Sequence, residues 1–341
     1  MKRNWLSYMC MAALLTGTLT SCDESSFLNL SDPNHFTESN FWKDKADAES
    51  ALAAAYSPIK GAMYGYFGAF DGWFFNDTAT TEIYTIKGEE VPMWNIANFL
   101  NSPSTGNDPY GALYSGIQRA NIVLRYIDRI PASGITEDDR SMIKGEALFL
   151  RGYQYFLLVN NYREVPLRLL PSNEDETNKG PASEAALWAQ VEDDLGNAIK
   201  CNLPVERTTA KERVTKGAAI AMLGKVYATQ HKYPEAKQLL GTLLTSPYSY
   251  ELIDDFGKNF TNEEEFNKES VYEIAYSPDG EYSWSNESGI CLGCYIPQFI
   301  GPVKSGGWAK LMPNSLIVGE FTKETRPGDA DTKFDKRMYA S

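Results

Sequence analysis

Histidine is almost missing. The 341 residues hold two, His35 and His231. Two imidazoles argue against a His-rich metal site or a multi-histidine proton relay. Cysteine is scarce as well, with five. Basic residues fall short: 32 Lys and Arg stand against 45 Asp and Glu, a net charge of −13. A surface of that sign repels phosphate backbones and argues against general nucleic-acid binding. No apolar run is long enough to cross a bilayer; Leu6 to Leu19 falls short of the roughly 20 residues required. The chain also lacks His-Glu-x-x-His, Gly-x-Ser-x-Gly, a phosphate-binding loop and Gly-x-Gly-x-x-Gly. The common hydrolase, nucleotide and dinucleotide signatures are therefore missing, and no catalytic residue, cofactor or metal site is expected.

What remains is a globular composition, 43% hydrophobic and 23% charged, rich in aromatics: 7 Trp, 20 Tyr and 16 Phe. The first residues set the compartment. Lys2 and Arg3 precede the short apolar run, which ends Leu19-Thr20-Ser21-Cys22. Small residues before a cysteine at that place resemble the bacterial lipobox. In that reading residues 1–21 are a signal peptide and Cys22 carries the lipid. Removing residues 1–21 takes away Lys2 and Arg3 and no acid, so the charge falls from −13 to −15. Asp23-Glu24 resembles the acidic export signal of surface lipoproteins in the Bacteroidota. Cys291-Leu-Gly-Cys294 is a lone pair with no second pair or nearby His. It is a loop clip or two free thiols rather than a zinc site.

The dominant pattern is helical. Positions 48, 51, 52, 55, 56 and 59 form an amphipathic stripe, with Pro58 and Gly61 marking its end. Leu113, Ile117, Ala120, Leu124 and Ile127 form a second, stopped by Pro131 and Gly134. Thr136-Glu-Asp-Asp139 resembles a capping box. The helix it opens, to about Asn160, is apolar on nearly every side and belongs at the centre. After a polar loop from Pro171 to Pro181, stripes recur at Leu187–Ala198, Ala219–Tyr227 and Tyr233–Leu244. Gly224, Tyr227, Ala236 and Pro247 follow tetratricopeptide spacing, with Gly224 allowing close helix approach. Trp42 and Trp188 fall on helical stripes and read as core; Trp94 stays undecided. From Ser246 to Ser341 the helical period fades, and loops with short elements are expected. Asp329, Asp331 and Asp335 have a loose calcium-like spacing without the loop Gly or closing Glu, and read as a solvated acidic loop. Residues 76–85, Asn76 to Thr85, are identical to the translation of a common sequencing-adapter DNA, so no function is assigned to them.

Several segments together resemble the SusD/RagB family of outer-membrane nutrient-binding lipoproteins. They are the lipobox, Phe41-Trp42 through Ala55-Tyr56, and Leu113-Tyr114-x-x-Ile117-x-x-Ala120-Asn121. Lys144-Gly-Glu-Ala-Leu-Phe-Leu-Arg151-Gly and Asn161-Tyr-Arg-Glu-Val-Pro166 follow. Trp188-x-x-Val191-x-x-Asp194-Leu195 and the Arg213–Ala236 repeat complete the set. The resemblance implies a mainly all-α fold of tetratricopeptide-like helical pairs with an irregular loop-rich region after it. It divides the chain into a signal peptide (1–21), a helical region (22–250, with the pair at 213–247) and a loop-rich ligand-facing region (251–341). It also implies an anchored protein facing the cell exterior, binding a glycan or peptide for a SusC-like TonB-dependent transporter, without catalysis. Members of the family continue past this point, so the chain reads as C-terminally truncated. Ligand residues carried over from the family's loop positions are Trp73, Tyr282, Trp284 and Trp308 for stacking, with Asp71 and Gln298 for polar contacts. A lipid-anchored glycan hydrolase and a tetratricopeptide protein-binding scaffold are the alternatives.

Overall fold

The computed structural model describes residues 41–64, 80, 82–85, 91–100, 107–172, 178–276, 296–323, 325–326, 329–333 and 335. The chain divides into a unit over residues 1–43 and another over residues 44–341. Of the first unit only Phe41 to Lys43 is described. Trp42 is buried there, but at φ +53° it stands before the first helix and not on its stripe.

The second unit is mainly helical, as the pattern predicts. Helix α1 is Lys45–Tyr64, α3 is Asn107–Tyr126, and α4 is Glu137–Tyr162; a short α2, Val91–Ala97, precedes α3. Then come α5 (Glu184–Lys200), α6 (Lys216–Thr229) and α7 (Tyr233–Gly241). Each start has a local cause. Asp44 accepts hydrogen bonds from the N–H groups of Ala46 and Asp47. Thr136, Ser183 and Thr215 accept from the third residue beyond each. The Thr136 hydroxyl also donates to Asp139, so the box closes through side chains. A Ser or Thr removed from such a position costs about 1 kcal/mol.

Helix α1 corrects the sequence reading. It runs through Pro58 to Tyr64 instead of stopping there. Proline has no N–H, so the carbonyl of Ala54, four residues back, loses its helical donor. The Arg119 guanidinium of α3 donates to that carbonyl at 2.9 Å. A partner from the neighbouring helix makes the proline tolerable.

Ala48, Leu52, Ala55 and Ile59 are buried, as are Leu113, Ile117, Ala120, Val123 and Ile127. Leu124 is half-buried, so Val123 takes the inner place in that stripe. Helix α1 packs on α3 and α4, α4 on α3 and α5, and α6 on α5 and α7. The central place expected for α4 holds. Each buried Leu or Ile contributes about 1.5–3 kcal/mol of apolar transfer. At the α6–α7 crossing a Cβ on Gly224 would lie 2.4 Å from Leu240, and Ala236 is buried beside it. The close approach predicted for the tetratricopeptide-like pair is therefore present. Trp188 differs from expectation: it is half-buried on the flank of α5, edge-on to Phe156, with its indole N–H on Glu184.

After α7 the described chain is short elements. Strand β1 (Ile83–Thr85) pairs antiparallel with β2 (Leu311–Pro313), and β3 (Thr325–Arg326) pairs with β4 (Asp329–Lys333). Helices α8 (Ile296–Ile300) and α9 (Ser315–Phe321) flank β2. Strand β1 is the end of the adapter-like stretch. Its pairing uses backbone groups, which almost any residue supplies. The acidic segment is also corrected. Asp329–Lys333 is a strand and not a loop, and Asp335 is 7% exposed.

Candidate functional site

The polar residues of the helical motifs converge inside the helices. Glu146 on α4 is fully buried and takes the hydroxyl of Tyr56 at 2.6 Å. Arg207 donates to Glu146 at 2.8 Å, and Arg213 donates twice, at 2.8 and 3.0 Å. Arg213 reaches on to Glu49 at 2.8 Å. Burial, and then the charge of Glu146, hold the Tyr56 phenol well above its ordinary pKa. Burial works against the Arg213 charge, but the hydrogen bonds and charge of Glu146 outweigh it and raise its pKa.

A second network lies one turn and a half along α4. Arg151 grips Asp194 of α5 through two hydrogen bonds of 2.8 and 2.6 Å and donates to Asn121 of α3 at 2.9 Å. Burial pushes the Asp194 carboxyl up, and Arg151 pulls it back. Asn121 donates to the carbonyls of Arg168 and Leu170, and Tyr114 to that of Pro166. These side chains satisfy carbonyls of the extended segment after α4, which pairs with the chain at Pro181 and Ala182 through one isolated bridge. Both networks have every charge compensated and are far better explained as architecture than as chemistry. Among the described residues no three His, Cys, Asp or Glu side chains gather as metal ligands.

Of the six residues expected to meet ligand, Asp71, Trp73, Tyr282 and Trp284 lie outside the described residues. So do Cys22, Cys291 and Cys294. Gln298 and Trp308 are described, and the fold brings them together: the Trp308 N–H donates to the Gln298 carbonyl at 2.7 Å. Gln298 is exposed on α8 and Trp308 is half-buried. The Trp308 ring stands edge-on to Phe299, centroids 6.2 Å apart, and Phe299 is fully buried.

The sequence suggests a flexible Gly-Gly backbone under Trp308. The structure corrects this. Gly306 turns at φ +85°, and the N–H groups of Gly306, Gly307, Trp308 and Ala309 donate to Val303, Pro302, Gln298 and Gly301. A Cβ on Gly307 would sit 2.1 Å from the Gly301 carbonyl oxygen. The glycines permit close backbone packing, and the loop is pinned. Strand β2 follows at once and continues the support through β1. The result is a preformed aromatic station whose backbone is tied to that of the exposed Gln298. It is suited to a ligand with an apolar face and hydroxyl edges.

Sequence reasoning missed Tyr248 and Tyr250. Their rings lie parallel within 11°, centroids 6.0 Å apart, in a cleft after α7. Their i, i+2 spacing just after Pro247 is the signal that was available.

A family model described as "Starch-binding associating with outer membrane" matches residues 26–228, more than half of the chain. The chain belongs to the SusD family. A second model, described as "SusD family", matches residues 268–341. A SusD-like protein of Formosa agariphila is 24% identical over 98% of this chain and 69% of its own length. The crystal structure of a SusD superfamily protein from Bacteroides vulgatus matches with a TM-score of 0.75 and 29% identity. It covers 88% of this chain and 61% of that one. A laminarin-binding SusD-like protein matches with a TM-score of 0.73 and 27% identity, over 81% of this chain and 63% of its own. The chain thus spans about six-tenths of the length of these two solved SusD-like structures. The family match over residues 26–228 covers the helices that carry both buried networks.

Proposed function

We propose that this chain binds a glycan, or another nutrient oligomer, at the cell surface and delivers it to a SusC-like TonB-dependent transporter in the outer membrane. It does so as a lipoprotein anchored through Cys22, and it binds without catalysis. Trp73, Tyr282, Trp284 and Trp308 stack on sugar faces, and Asp71 and Gln298 take hydroxyls. The observation that carries this reading is the Trp308 station: a half-buried indole on a pinned loop, backed by Phe299 and flanked by exposed Gln298. Such a platform costs little ordering entropy on binding. The laminarin-binding relative supports the ligand class, and the family description supports the membrane association. No helix among the described residues is long and apolar enough to cross a membrane, which accords with a lipid anchor.

Affinity electrophoresis in gels containing laminarin, starch or xylan tests it. Retardation by at least one polysaccharide is expected, with no oligosaccharide released on long incubation. Trp308→Ala should reduce retardation by about tenfold in apparent affinity. Unchanged retardation in a folded Trp308→Ala chain overturns the site assignment. Released oligosaccharides favour a hydrolase instead.

A further inference from the structure

The cleft that holds Tyr248 and Tyr250 has a volume of about 270 Å³. It lies between the 205–215 segment and residues 247–273. That is below the ~300–1,000 Å³ of sites for drug-sized ligands, so it has room for a ring or two and not for a chain. Tyr250 is part of its frame. The phenol oxygen fills the space a Cβ on Gly217 would need, 2.1 Å away, and lies beside Thr215 at the start of α6. Tyr248 lies parallel in front of it and is half-buried, so the pair offers a supported aromatic wall.

The charges of the cleft are largely committed elsewhere. Arg207 belongs to Glu146, Lys268 pairs with Glu251 at 2.8 Å, and Glu273 accepts from the Phe266 N–H at 2.9 Å. Glu206 and Lys211 remain, one of each sign, both exposed. Lys211 and the hydroxyls of Ser249 and Ser270 have no side-chain partner among the described residues. An aromatic wall, two hydroxyls and no excess charge select against anions and against cations. They suit a neutral ring with one apolar face and a rim of hydroxyls.

We propose that this cleft is a second saccharide site, taking one neutral pyranose ring against Tyr248, separate from the Trp308 station. The assignment does not rest on Trp308, and either site stands if the other fails.

The test uses the full chain with isotopically labelled tyrosine rings, titrated separately with glucose, galactose, mannose and xylose at high millimolar concentration. At least one sugar should shift the Tyr248 and Tyr250 resonances in a saturable way. Tyr248→Ala should weaken that sugar about tenfold, read from the Tyr250 resonance. Lys211→Ala, an exposed change that leaves the fold intact, should weaken it a few-fold. Trp308→Ala should leave these shifts unchanged. Absence of shifts with all four sugars overturns the proposal. So does a titration that Lys211→Ala and a folded Tyr248→Ala both leave unaltered. If Trp308→Ala abolishes the shifts, the rings report the Trp308 station and the second site is wrong. Loss of polysaccharide retardation in Trp308→Ala, with the tyrosine titration intact, supports both readings.

Discussion

Replacing Glu146 by Ala would leave Arg207, Arg213 and the Tyr56 hydroxyl converging on an empty space. Removing one partner of a buried charge cluster usually costs about 3–5 kcal/mol; Arg213 keeps Glu49, so the uncompensated groups are Arg207 and the Tyr56 hydroxyl. Glu146→Ala should therefore lower stability to chemical denaturant by that order, and Glu146→Gln by less. A loss under about 1 kcal/mol would contradict the hub role given to Glu146. Asp139 gives a pH dependence. The hydrogen bond from Lys45 at 2.8 Å holds its carboxyl below the ordinary value of 3.8; partial burial opposes the shift, and the Thr136 hydroxyl adds to it. A depressed carboxylate pKa adds stability that is present above the unfolded value and lost as the pH falls through the folded one. Wild type should melt higher than Asp139→Asn at neutral pH. The gap should close as the pH drops below 3.8. Melting curves across that range check it, and a gap that persists at the lowest pH would refute the assignment.

At the scale of elements, the α3–α4 contact turns on a missing side chain. A Cβ on Gly116 would lie 1.6 Å from the Gln154 side-chain oxygen, and Gln154 is wholly buried. Gln154 is held by its own donation to the Leu150 carbonyl. Alanine is the better helix former by about 1 kcal/mol. Overpacking a tight contact costs about 1–3 kcal/mol, and here neither helix can retreat without disturbing the Arg151–Asp194–Asn121 network. Gly116→Ala should destabilise, and adding Gln154→Ala should recover part of the loss. Differential scanning calorimetry of the single and double variants decides. A neutral Gly116→Ala would mean that the helices separate more easily than the packing indicates.

For the whole molecule the proposed anchor makes the clearest prediction. If Cys22 carries the lipid, Cys22→Ser should move the chain from the membrane fraction to the soluble one, and incorporation of labelled palmitate should cease. Two or more acyl chains are needed for stable anchoring, so the shift should be nearly complete. A Cys22→Ser chain that still sediments with membranes would show that something else holds it there.

Much of the body was legible in sequence because a helix announces itself locally. Period, cap and breaker lie within a few residues of one another. The stripes at 48–59 and 187–198, the cap at Thr136 and the close approach at Gly224 are all local statements that the packing honours. Family membership was legible for the same reason, since the motif residues keep fixed spacing on those helices. What local pattern could not show is what a distant residue supplies. Pro58 reads as a stop until Arg119, 61 positions later, satisfies the carbonyl it orphans. Gly306-Gly307 reads as flexible until Gly301 closes on it. Tyr248 and Tyr250 read as ordinary aromatics until α6 and the 205–215 segment wall them into a cleft. The sequence by itself determined which segments become helices and which of their faces are apolar, since those depend on neighbours along the chain. Only the tertiary structure decided which backbone groups are rescued, which loops are rigid and which aromatics are presented, because each depends on a partner the chain delivers from far away.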